Sequence, residues 1–274
     1  HEEEEAEAHD AQDRAGAGEG RADGGEDGAG PVEEVPRVPP VDEAEVDAER
    51  HEERQADACK QRGPSLEARG ALELARRAAE AAGHPLEIVA VSRFSNAAAR
   101  EWLEARGVNT VSCDLLDANA IARLPDAQNI IYLVGLKFGT AQNPAATWAI
   151  NTLVPARVCE RYPHSRIVAL STGNVYPPSE VRRGGSVETD SLTPLGEYAN
   201  ATVGRERIFE FHSQRQHTPL TLLRLFYAVE LRYGVLVDIA RKVHAGQPVA
   251  LANGVFNCIW QRDANELILR ALPL

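Results

Sequence analysis

The pattern of apolar and polar positions changes character near residue 63. From Ser65 onward, short apolar runs alternate with longer stretches in which apolar side chains recur every three or four positions, the signature of buried strands between amphipathic helices. "SLEARGALELARRAAEAAG" predicts a helix over 65–83, with Ser65 as N-cap, Gly83 as stop and Gly70 weakening its first turns. A strand follows at 86–92 and a helix over 96–107, capped by Asn96 and stopped by Gly107. Next come a strand at 108–113, a short helix after Asp117, a strand at 129–135 and a long helix over 144–161 with Pro144 in its first turn. Strands at 166–172 and 219–227 flank a helix over 197–215. A further helix runs to a stop at Gly246, and a last strand and helix, with Asp263 as N-cap, lie in 257–274. This alternation predicts right-handed crossovers and a parallel sheet covered on both faces, a doubly wound Rossmann-like α/β fold.

Residues 1–62 follow no such pattern. They contain no Leu, Ile, Phe, Tyr or Trp, and five valines near prolines are their larger aliphatic residues. They carry 21 acidic and 7 basic residues, a balance of −14 against −12 for the whole chain, which leaves +2 for 63–274. Ordering a backbone costs about 1–2 kcal/mol per residue, and this segment has too little apolar surface to offset it. The expectation is a disordered acidic tail. Its restricted composition, in a chain with no Met, also fits a mistaken start or reading frame.

Cys59, Cys113, Cys159 and Cys258 form no CxxC, and His212 and His217 are poorly spaced for a metal, so no metal site is expected. No apolar run reaches the roughly 18 residues of a membrane span. A reducing, cytoplasmic setting follows by default, with no membrane or nucleic-acid partner.

In a doubly wound sheet, ligands bind beyond the carboxyl ends of the strands. Those ends read Ser92-Arg93, Asp114-Leu115, Gly135-Leu136-Lys137, Ser171-Thr172 and Arg224 to Ala228. With "STGNVY", "EYANATVGRE", "CDLLD", "NIIYLVG", "WAINTLVPARV" and "LLRLFYA" in order, residues 63–270 resemble the extended short-chain dehydrogenase/reductases, the NAD(P)-dependent epimerase/dehydratase family. The resemblance implies Thr172, with Ser171 beside it, as the hydroxyl that bonds the substrate, and Tyr198 as acid/base. It implies Asp114 and Leu115 around the adenine, Gly135 in the segment under the nicotinamide ribose, and Asn151 behind it. The Ser92-Arg93 pair suits a 2′-phosphate, so NADP is favoured over NAD. Each residue also has a plainer reading: Tyr198 as a packing aromatic, Thr172 as a turn residue, Asp114 as a helix cap, Asn151 as a partner for buried backbone.

Two departures stand out. The family lysine four residues after the tyrosine is Thr202 here. A nearby cation lowers such a pKa by about 1–3 units, and Lys137 is the candidate substitute, or else a solvated loop lysine. The glycine-rich turn that cradles a pyrophosphate is reduced to Gly63, with no apolar strand before it. The prolines of 35–41 exclude that segment from a central strand. The expected organisation is a tail at 1–62, a nucleotide-binding domain at 63–228 lacking the usual first strand, and a partial substrate region at 229–274, a family member abbreviated at both ends. The implied activity is hydride transfer on a sugar nucleotide or similar carbinol or carbonyl substrate. The alternatives are an inert Rossmann-like nucleotide-binding or protein-interaction module, or a truncated product without function. Arg182 and Arg183, in the loop 177–196, are candidates for a phosphate or carboxylate, or simply solvated. Helices 144–161 and 197–214 are candidates for a homodimer interface, or for ordinary amphipathic packing.

Overall fold

The computed structural model describes residues 66–232, 234–249, 251 and 254–272. The predicted acidic tail, Cys59, Gly63 and the predicted N-cap Ser65 lie outside the described residues. The described ones all fall in one compact unit, 42–274.

Helix α1 (Leu66–Ala82) leads to β1 (Val89–Ser92), α2 (Ala97–Glu104), β2 (Asn109–Ser112), α3 (Ala118–Ala122) and β3 (Asn129–Tyr132). The local signals act as expected. Asn96 Oδ1 accepts from the Ala98 amide at 3.0 Å and Asp117 Oδ1 from the Asn119 amide at 2.8 Å, while Gly83 and Gly107 end their helices at φ +68° and +71°. Replacing Asp117 with Ala removes a cap worth about 1 kcal/mol, so thermal unfolding should shift down by about 2–4 °C.

The predicted helix over 144–161 is not continuous. It divides into α4 (Pro144–Trp148), a π turn (Ala149–Leu153) and α5 (Val154–Arg161). Pro155 is the physical reason: it has no amide to give the carbonyl four residues back, that of Asn151, so the hydrogen-bond ladder must be interrupted there. The chain continues through β4 (Arg166–Thr172), 3-10 turns at Gly173–Val175 and Val181–Arg183, and α6 (Gly196–Gln216). The predicted strand over 219–227 divides into β5 (Leu220–Leu225) and β6 (Tyr227–Val229), with a break at Phe226. Its ring lies where a Cβ on Gly173 would otherwise be. Helix α7 (Val235–His244), β7 (Cys258–Trp260) and α8 (Gln261–Arg270) complete the order. Asp263 falls in the first turn of α8 and is not its cap; Trp260 occupies that position, because the helix starts earlier at the buried Gln261, whose amide bonds Asn265 at 3.2 Å.

All pairings among the described strands are parallel: β1 with β2, β3–β4–β5 in that order, and β6 with β7. The alternation of β4 sorts its residues onto two faces. Ile167 and Ala169 pack with Val154, Val158 and Phe209 from α5 and α6, while Val168 packs with Ile268 of α8. Val91 of β1 and Val111 of β2 reach the first of these clusters, so the two groups of strands share it, while α8 covers the other face of β4. Gly70 lets α1 close on α8, since a Cβ there would overlap the Asn265 amide. Among the described residues β1 and β3 do not pair with each other.

Candidate functional site

Because the strands are parallel, the residues following β1, β2, β3 and β4 gather on the edge where their carboxyl ends lie. At the end of β1, Ser92 Oγ accepts from the Phe94 amide at 3.4 Å, and the Arg93 side chain is exposed. At the end of β2, Asp114 is exposed and its Oδ1 accepts from the Leu116 amide at 2.9 Å; it shapes the turn, while Asp117 caps the helix. Leu115 packs on the main core cluster.

Gly135, beyond β3, is exposed on one side. On the other, a Cβ would overlap the guanidinium of Arg205, so a side chain there would have to displace it. Asn151, in the π turn, is fully buried; its Nδ2 donates to the Leu136 carbonyl at 3.2 Å and its Oδ1 accepts from Arg205. Lys137 is exposed, with its ammonium 5.3 Å from the centroid of the Phe138 ring.

Ser171 and Thr172 end β4 and both are buried. Thr172 Oγ1 accepts from the Asn174 amide at 3.3 Å and so caps the 3-10 turn. Helix α6 packs against β4 and this turn, and it brings Tyr198, half-buried, into its first turn. Thr202 is fully buried, and its hydroxyl donates back to the Tyr198 carbonyl at 2.8 Å. Among the described residues no hydrogen bond joins the Tyr198 hydroxyl to Thr172 or Lys137.

Behind these residues lies a charged cluster that the sequence reading did not single out. The Glu206 carboxylate is 0% exposed and accepts from Arg224 at 3.0 Å (Nε) and 2.7 Å (Nη2), and also from the Ser171 hydroxyl. This bidentate bond to Glu206 holds the Arg224 guanidinium charged, its pKa above the ordinary value. Arg224 also donates to the Tyr176 hydroxyl, and to the Glu188 carbonyl at 3.4 Å, tying the loop after β4 to β5. The signal was present: an arginine inside the apolar run "PLTLLRLFY", and a glutamate two turns beyond Tyr198 on the same helix face. Cys113 and Cys159 are buried, and burial pushes the Cys159 thiol up to about 12, so it is a packing residue. Among the described residues no group of His, Cys, Asp or Glu is arranged to hold a metal, and no helix is long and apolar enough to cross a membrane.

The sequence model of the NAD dependent epimerase/dehydratase family matches residues 74–272. Among solved structures, Pal from Bacillus thuringiensis is similar at a TM-score of 0.61 and 16% identity, over 75% of this chain and 70% of that one. RMD from Pseudomonas aeruginosa, solved with NADPH, matches at 0.54 and 16%, over 68% and 72%. UDP-glucuronic acid 4-epimerase from Bacillus cereus, solved with NAD, matches at 0.56 and 16%, over 68% and 65%. At such identities the likeness establishes the Rossmann-like fold. No curated protein matches the chain.

Proposed function

Since the chain belongs to the NAD dependent epimerase/dehydratase family, we propose that it is an NAD(P)-dependent enzyme of the epimerase, dehydratase or reductase type, acting on a sugar nucleotide or a similar carbinol or carbonyl substrate. The observation that carries this reading is the placement of Thr172 and Tyr198. A buried strand-end hydroxyl and a half-buried phenol sit on elements that pack together at the carboxyl edge of the sheet. Thr172, supported by Ser171, orients the substrate oxygen, and Tyr198 gives or takes its proton.

The residues present fit a dinucleotide. Ser92, Arg93, Asp114 and Leu115 would hold its adenosine half. The glycine backbone at 135, with Asn151 and Lys137, would hold its nicotinamide half. Bound there, the nicotinamide supplies a hydride acceptor or donor. The exposed Arg93 guanidinium favours the 2′-phosphate of NADP. The reading assigns 63–228 to nucleotide binding and 229–274 to the substrate, in a cytoplasmic protein. Trp148, Leu153 and Phe211, exposed on the helices at 144–161 and 197–214, support a homodimer through those faces.

Thr202 favours a second reading, an inert nucleotide-binding module, because its hydroxyl is turned to the Tyr198 carbonyl and brings no charge to the phenol. Thermal unfolding with NAD or NADP tests the binding that both readings require. A nucleotide held at about 100 times its Kd adds roughly 2.7 kcal/mol, an upward shift of several degrees. Absence of a shift with either nucleotide at millimolar concentration would remove the proposal.

A further inference from the structure

Among the described residues none cancels the charge that Arg205 carries. Its side chain is 5% exposed; Nη1 donates to the Leu170 carbonyl at 2.9 Å and Nη2 to Asn151 Oδ1, both neutral partners, and Nε has no partner. Among the described residues no carboxylate lies within ion-pair distance of it. Glu206, next in sequence, is turned to Arg224 and Ser171. Two guanidinium groups and one carboxylate therefore leave one buried positive charge over. An unpaired buried charge is costly, and a guanidinium cannot shed its proton to escape that cost.

The position of this charge gives it a use. The guanidinium lies directly under the backbone of Gly135, which is exposed on its other side, and through Asn151 it is linked to the Leu136 carbonyl. Any group resting on Gly135 feels a cation through one layer of backbone, in surroundings that screen charge far less than water does. The reading of the site given above places the nicotinamide half of the cofactor on this segment. The ring is positively charged when oxidised and neutral when reduced.

Resting on that reading, we propose that Arg205 makes the site select the reduced nicotinamide cofactor over the oxidised one. Repulsion between two unit charges about 12 Å apart at an effective dielectric of about 20 corresponds to about a tenfold difference in affinity. The bias sets which form occupies the site, and by linkage it makes the bound oxidised form the stronger hydride acceptor by the same factor.

The test is to measure Kd for NADPH and NADP, and for NADH and NAD, on the full chain by calorimetry, in the wild type and in Arg205→Met and Arg205→Lys, with folding followed by circular dichroism. The reduced form is expected to bind about tenfold more tightly to the wild type. Arg205→Met should bring the ratio toward parity and Arg205→Lys should keep it. A purely structural role for Arg205 alters both affinities alike and leaves their ratio unmoved. A folded Met variant with the wild-type ratio, or a wild type that binds the oxidised form at least as tightly, overturns the inference while leaving the proposed function intact. If no form of either nucleotide binds, the proposed function itself falls and takes this inference with it.

Discussion

Replacing Glu206 with Ala is expected to lower the stability of the chain by about 3–5 kcal/mol, the usual consequence of removing one partner from a buried ion pair. For a protein of this size that corresponds to a fall of about 6–20 °C in Tm. The reason lies in what would remain. Glu206 is fully buried, and Arg224, its bidentate partner, is 17% exposed. Without the carboxylate, two guanidinium groups would share one buried region with no anion, and the Ser171 hydroxyl would lose its acceptor. Glu206→Gln keeps the shape and one acceptor oxygen, so a smaller loss is expected. The double variant Glu206→Leu/Arg224→Met should recover much of the loss, because removing both charges avoids leaving either one buried and unpaired. Thermal denaturation followed by circular dichroism reads all three. A Glu206→Ala Tm within about 2 °C of wild type would show that the pair holds neither β5 nor the loop after β4 in place.

The parts of this fold that were legible beforehand are those decided within a few residues of themselves. Asn96 and Asp117 cap helices with their own side chains, and Gly83 and Gly107 supply the left-handed turn that ends one. Strand positions followed from apolar runs, and parallel pairing followed from alternation with helices. The parts that were missed depend on distant partners. The interruption at Phe226 reflects a ring filling the space above Gly173, fifty-three residues earlier in the chain. Glu206 and Arg205 read as ordinary helix charges until β4, β5 and the π turn close around them. Pro155 is the exception: its lack of an amide was visible in "TLVPARV" and was enough to predict the break before it. Thr172 and Tyr198 could be placed at a strand end and a helix start from the sequence, with the roles expected of them implied by the family resemblance. The charge beneath them could not, since burial of an arginine is a property of three converging elements.

Tyr198→Phe carries the largest expected effect on function. General acid–base catalysis by a positioned side chain contributes about 10²- to 10⁴-fold, so turnover should fall by that factor. The phenylalanine ring preserves the packing of a half-buried side chain in the first turn of α6, and among the described residues the tyrosine hydroxyl makes no hydrogen bond whose loss would unfold the helix. Stability and nucleotide affinity should therefore stay near wild type, which separates a lost proton donor from a damaged fold. The proton in question has little help from Thr202, whose hydroxyl faces the Tyr198 carbonyl, or from Lys137, which stacks beside Phe138. Steady-state rates of wild type and Tyr198→Phe decide the matter. Equal turnover in wild type and Tyr198→Phe at every pH would remove the phenol from the chemistry and leave the inert nucleotide-binding module as the reading that fits Thr202.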